Sequence, residues 1–282
     1  MKLIIDSGST KAHWVFLENT EIIYDIETEG FNPYYATEKQ IKNIIESQLS
    51  EDLFDYNINE IHFYGTGCSS EKNCNIIQSI LRHYFGAGNI FVNHDLYAAA
   101  VSLLGRDRGI ACILGTGSNS CLWDGKKIVN NIPSLGYLLG DEGSATYLGK
   151  MLLRKVLRNE LDKKLTENFH DSIKMNIHEI QERIYNYDDG NRWLAGLSVF
   201  ISKNIQHPEM EKIVIENFED FIKNQLSKYM GYQNEKISFV GSISWFFKPQ
   251  LLKVMEHHHL NTGVIYRSPM EGLIQYHQKN NR

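Results

Sequence analysis

A chain of 282 residues with 42% hydrophobic content is long enough for one large or two ordinary domains, each with a buried core. A formal net charge of −5 with no Lys/Arg cluster argues against nucleic acid as a partner, and no apolar run is long enough to cross a bilayer. Cys68, Cys74, Cys112 and Cys121 show no CxxC pairing, and the N-terminus has no signal-peptide character, so free thiols in a cytoplasmic protein are expected.

Lys2 to Ile5 reads as a strand that breaks into Asp6-Ser7-Gly8-Ser9-Thr10-Lys11. Trp14 to Leu17 and Glu21 to Ile26 complete an antiparallel meander. The first turn lacks the GxxxxGK[ST] of a Walker loop, yet its glycine and hydroxyls suit phosphate contact. Asp6 at the strand end suits a hydrated Mg²⁺, although an ordinary hairpin turn rich in Asp and Ser reads the same way. After an Asn32-Pro33 break, Glu38 to Leu49 has helical spacing, with Ile41, Ile44, Ile45 and Leu49 on one face. Glu60 to Tyr64 is a strand, Glu71 to Phe85 a helix, Ile90 to Val92 a strand and Leu96 to Leu104 a helix. Meander, helix, strand, helix, strand, helix is an α/β layer order. Asp95 stands at a strand's carboxyl end before a helix, a place where a carboxylate takes a hydroxyl proton or caps the helix.

From Gly109 the pattern restarts. Ile110 to Leu114 ends in Gly115-Thr116-Gly117-Ser118-Asn119, Ser120 to Trp123 is a second strand, and Asp124-Gly125 is a two-residue hairpin signal before a third. Ile4-Ile5-Asp6-Ser7-Gly8-Ser9 and Ile113-Leu114-Gly115-Thr116-Gly117-Ser118 are alike, which points to two similar domains facing one cleft. Gly140-Asp141-Glu142-Gly143 places carboxylates before a long helical pattern. Thr146 to Ile205 is largely helical, Glu211 to Met230 is a further helix, and Ile237 to Val240 is a strand followed by Gly241-Ser242 and a helix through His257. His257-His258-His259 has no second ligand cluster nearby and reads as a solvated helix end. Val264 to Tyr266 is a strand, and Ser268-Pro269 opens the last helix.

Asp6 to Thr10, Asp95 with Ala98 and Ala99, Gly115 to Asn119, Gly140 to Ala145, Gly241-Ser242 and Ser268-Pro269 occur in the order of the N-acetylglucosamine kinase family, which the chain resembles over nearly its whole length. GTGSN followed by GDEGSA is the most specific part. That family belongs to the actin-like sugar kinase and Hsp70 superfamily. The resemblance implies two ribonuclease-H-like (actin-like ATPase) domains around a central cleft. Residues 1–108 would form the first, with a C-terminal helix over 268–282 packing on it. Residues 109–267 would form the second, with a helical insertion.

It further implies ATP and Mg²⁺ as cofactors, an amino sugar as substrate and a homodimer. Asp95 resembles the catalytic base, and Ser9, Thr10, Gly115, Thr116 and Gly117 resemble the phosphate-loop contacts. Gly241 and Ser242 resemble the adenosine motif, while Asn32, Asn119, Gly136 and Asp141 match sugar-contacting positions. Ser7-Gly8-Ser9-Thr10 replaces the family's GGGT, Leu135-Gly136 replaces a Trp-Gly pair, and the loop from Gly65 to Ser70 differs. The expected reaction is phosphorylation of N-acetylglucosamine to its 6-phosphate. Two other classes are an ATPase activator of an iron–sulfur acyl-CoA dehydratase or reductase, for which Cys68 is the candidate ligand, and a non-catalytic sugar sensor.

Overall fold

The computed structural model describes residues 1–8, 11–187 and 189–279. In chain order the elements of the first part are β1 (Lys2–Ser7), β2 (Lys11–Glu18), β3 (Glu21–Glu29), α1 (Glu38–Gln48), β4 (Glu60–Gly65), α2 (Glu71–Phe85), β5 (Asn89–His94) and α3 (Asp95–Leu104). Then come β6 (Gly109–Leu114), β7 (Ser118–Trp123), β8 (Ile128–Ile132), α4 (Gly136–Leu139), α5 (Ala145–Leu157), α6 (Lys163–Ile173), α7 (Ile177–Tyr185), α8 (Gly190–Gly196), α9 (Ser198–Lys203) and α10 (Pro208–Asn224). The chain closes with β9 (Ile237–Val240), α11 (Ser242–Phe246), α12 (Lys248–His257), β10 (Thr262–Tyr266) and α13 (Pro269–Lys279).

Two compact units result: residues 1–105 with 269–282, and residues 106–268. The first has the sheet order β3-β2-β1-β4-β5, and the second β8-β7-β6-β9-β10. In each, the first three strands form an antiparallel meander, and two further strands add in parallel beside the first of them. The short sequence likeness between the two glycine turns therefore reflects one topology used twice. Each turn joins the first two strands of its sheet.

Consecutive apolar residues buried on both faces make β1 and β2 core strands, with Leu3, Ile4, Ile5, Trp14, Val15 and Phe16 fully buried. Helix α2 begins at Ser70, whose side chain accepts the Asn73 N–H, and ends at Gly86 in the left-handed region. In the second unit, β6 and β9 share one apolar core with α5 and α10, centred on Leu148, Leu152, Phe218 and Phe239. Three local readings change. The Asp124-Gly125 turn spans four residues, because the Asp124 carboxylate accepts from both the Lys126 and Lys127 N–H groups. The helix expected through His257 breaks at Phe247, with proline in the first turn of α12. The helix expected to reach Met230 stops at Asn224, and two 3₁₀ turns follow. His258 is bonded to Glu219.

Helix α13 packs on α3, where Gly272 leaves room for the Ser102 carbonyl; a Cβ at Gly272 would lie 2.1 Å from that oxygen. Its buried His277 meets Tyr64 Oη at 3.0 Å and packs 4.1 Å from the His62 ring, which stacks on Phe91. Glu60 lies 3.1 Å from His62 Nε2 but off the hydrogen-bonding direction. Burial pushes His277 down to about 2 and His62 to about 4. Both rings are thus neutral in the fold at pH values where an unfolded histidine, at about 6.5, takes a proton. The unfolded chain then binds more protons, so these rings withdraw stability as pH falls below about 6.5, by about 1.4 kcal/mol per pH unit each. A His277→Gln variant should show a shallower loss of unfolding free energy between pH 7 and 5 than the wild type. Equal slopes would sink this account.

Candidate functional site

In the first unit, β1 and β5 flank β4, and all three run parallel with their carboxyl ends together. That end gathers Asp6 on β1, Thr66 just past β4 and Asp95 at the first position of α3. His94, not Asp95, caps α3: its ring accepts the Tyr97 N–H at 3.3 Å. The Asp95 carboxylate instead accepts from the Leu96 N–H at 2.8 Å through Oδ1 and from the Thr66 hydroxyl at 3.1 Å through Oδ2. An ionised carboxylate offers about four acceptor sites, so two remain for a substrate. Asp6 is pushed up to about 7, first by burial and then by the charge of Asp95. Two carboxylates crowded at one sheet end repel each other, and a divalent cation would relieve that charge.

Asn32 is buried, and its side-chain oxygen accepts the Tyr34 N–H at 2.9 Å. A Cβ at Gly67 would sit 2.1 Å from that same oxygen, so the loop after β4 closes against Asn32 because Gly67 is bare. Ser9 and Thr10 lie outside the described residues. The residues on either side of them are joined, Gly8 N–H donating to the Lys11 carbonyl at 2.9 Å. A Cβ at Gly30 would lie 2.1 Å from the Gly8 carbonyl, so Gly30 is what lets the chain leave β3 close beside the end of β1.

In the second unit, the Gly115-Thr116-Gly117 turn is seated on the start of α5. Ala145 N–H donates to the Gly115 carbonyl at 2.9 Å, and Thr146 donates through both N–H and hydroxyl to the Thr116 carbonyl. The carbonyls are thereby occupied, and the Thr116 side chain is left exposed. Gly241 abuts this turn: a Cβ there would lie 2.4 Å from the Leu114 carbonyl, and its φ of +124° is open to glycine. Ser242 beside it is exposed.

Asp141 closes the other side of the turn. A Cβ on Gly117 would come within 2.9 Å of its Oδ2. The carboxylate accepts from the Ser118 N–H and the Ser134 side chain, and the Lys150 ammonium is near. Burial outweighs these partners and pushes Asp141 up to about 6. It does not cap α5, because Ser144 does, accepting the Tyr147 N–H at 3.1 Å. Lys150 holds the preceding segment by donating to the Tyr137 and Gly140 carbonyls. Gly136, at φ +69°, opens that segment on the surface. Asn119, half-buried on β7, accepts through its side-chain oxygen from Ser120 N–H and from the exposed Asn131 on β8, each at 2.9 Å.

The sequence-derived residues therefore fall into two sets. Asp6, Asn32 and Asp95 belong to the first unit; Gly115, Thr116, Gly117, Asn119, Gly136, Asp141, Gly241 and Ser242 belong to the second. Thr66, Ser134 and Lys150 were not singled out from sequence. Among the described residues no group of three or more His, Cys, Asp or Glu side chains is placed to hold a metal, and no helix is long and apolar enough to cross a membrane.

No protein-family model and no curated protein matches the chain. Among solved structures, the chain is similar to a provisionally named N-acetylglucosamine kinase from Porphyromonas gingivalis, at 34% identity and a TM-score of 0.94, covering 100% of both chains. It is also similar to a provisionally named N-acetylglucosamine kinase from Chromobacterium violaceum, at 15% identity and a TM-score of 0.69 over 98% of each chain. A ROK hexokinase from Thermus thermophilus shares the fold at 12% identity and a TM-score of 0.52, with 97% of this chain and 96% of that one covered. The duplicated sheet topology and these likenesses define the actin-like ATPase fold that sugar kinases share. The chain belongs to the N-acetylglucosamine kinase family.

Proposed function

We propose that this kinase transfers the γ-phosphoryl group of ATP to an amino sugar, converting N-acetylglucosamine to its 6-phosphate, with Asp95 as general base. The observation that carries this reading is the Asp95 carboxylate. It stands at the carboxyl end of a parallel strand, held by one donor on each oxygen, and is not consumed by helix capping. As the sugar oxygen bonds to phosphorus, its proton passes to Asp95 and the bridging P–O bond breaks with its electron pair leaving on ADP.

The Gly115-Thr116-Gly117 turn, with the Gly115 and Thr116 carbonyls tied to α5 and the Gly117 carbonyl bonded by the Gly115 N–H, suits phosphate contact through the Thr116 and Gly117 N–H groups and the Thr116 hydroxyl. Gly241 and Ser242 suit the adenosine portion, and Ser9 and Thr10 are assigned to phosphate by resemblance. Asn32, Asn119, Gly136 and Asp141 are assigned to the sugar. Asp6 fits a Mg²⁺ ion, because Mg²⁺ needs only one or two carboxylates when water and phosphate complete its shell. When bound, that ion neutralises phosphate charge. The activator reading rests on Cys68 alone, which is buried.

A coupled ADP-release assay over hexoses and amino sugars tests the proposal. N-acetylglucosamine should stimulate ADP release most, with the phosphate on O6 by ³¹P NMR. Absence of sugar-dependent ADP release across the panel would leave the sensor reading.

A further inference from the structure

We infer that Thr66 is the positioning residue for Asp95; this rests on the reading of Asp95 as the base. An aspartate side chain is short, and rotation about its terminal bond is broad, so its backbone alone does not fix the plane of the carboxylate. Here each oxygen has its own donor. Leu96 N–H holds Oδ1 from the helix, and the Thr66 hydroxyl holds Oδ2 from the next strand. One donor leaves the plane free to swing; two donors on different oxygens set it.

The hydroxyl can do this because the loop that carries it is pinned from several sides. Gly65 pairs with Ser7 on one side and His94 on the other, so Thr66 emerges between the strand ends that bear Asp6 and Asp95. Its own N–H donates to the Ser7 carbonyl at 3.0 Å. One residue on, Gly67 takes φ +88° with its carbonyl accepting from the Asn73 side chain at 2.8 Å, and Cys68 N–H returns to the Gly65 carbonyl.

Orientation matters most at the moment of proton transfer. The lone pair must face the sugar oxygen while that oxygen lines up with phosphorus. Loss of the Thr66 donor should therefore act on turnover rather than on substrate affinity.

The test is a set of four proteins: Thr66→Val, Thr66→Ser, Asp95→Asn and the Thr66→Val/Asp95→Asn double variant. Valine keeps the shape and removes the hydroxyl; serine keeps the hydroxyl and removes the methyl. Thr66→Val should lower kcat about 10-fold, the scale of one hydrogen bond to a charged acceptor, with both KM values within about twofold. Thr66→Ser should restore most of the turnover. On the Asp95→Asn background, Thr66→Val should cost nothing further, since there is no base left to orient. Unchanged kcat in Thr66→Val, failure of serine to rescue, or full additivity in the double variant would each overturn the assignment. Near-normal turnover in Asp95→Asn would instead remove the base reading itself. An inactive Asp95→Asn beside a normal Thr66→Val would remove only the role of Thr66.

Discussion

Asp95→Asn is expected to lower kcat by about 100-fold or more while the fold and ATP affinity persist. Asparagine has the same shape and can still accept from Leu96 N–H, but its amide has no useful basicity. The helix start does not depend on the substitution, because His94 supplies the cap and Leu96, Ala99 and Leu103 remain buried. Removing the Asp95 charge also removes one of the two causes that push Asp6 up, so Asp6 ionises more readily in the variant. Thermal unfolding near the wild-type value with a collapsed kcat is therefore the expected pair of results. A destabilised variant with near-normal turnover would make Asp95 a structural residue.

The strands and most helices were legible because their signals are local. Helix α2 carries a Ser70 cap, an apolar stripe and Gly86, all within one stretch, and its bounds read directly from them. Element ends decided by distant packing were not legible. The stop of α10 at Asn224 follows no proline or glycine in the sequence there, whereas the break at Phe247 does have a local signal, Pro249 in the first turn of α12.

Asp95 at the start of α3 and Asp141 ahead of α5 were visible, but capping was weighed for the wrong residues. The caps are His94, a residue type seldom read as one, and Ser144, three positions past Asp141. The groups that hold the carboxylates lie far along the chain. Thr66 is 29 residues from Asp95, and nothing periodic links them. Lys150 lies a turn into α5, where a lysine reads as solvated surface until its bonds to the Tyr137 and Gly140 carbonyls are seen.

The second large effect is expected at Asp141. Its carboxylate is assigned to the sugar, and losing a charged acceptor in a desolvated place costs about 1.5–3 kcal/mol, or about 10- to 150-fold in sugar KM. Asp141 has φ +61°, a conformation that asparagine tolerates better than alanine, so Asp141→Asn isolates the charge while Asp141→Ala adds backbone strain. Neither should remove a helix cap, because Ser144 provides it, so stability loss in Asp141→Asn should be small while ATP affinity is kept. Gly117→Ala should reproduce part of the defect, since its Cβ would press on Asp141 Oδ2. That variant should therefore weaken sugar as well as nucleotide. The pH dependence has a definite sign. Burial holds Asp141 at about 6, so the free protein gains a proton there as pH falls, and sugar KM should rise below about pH 6. An aspartate at its ordinary value would show no such rise until about pH 4. A sugar KM flat from pH 7 to 5, or unchanged in Asp141→Asn, would take Asp141 out of sugar recognition.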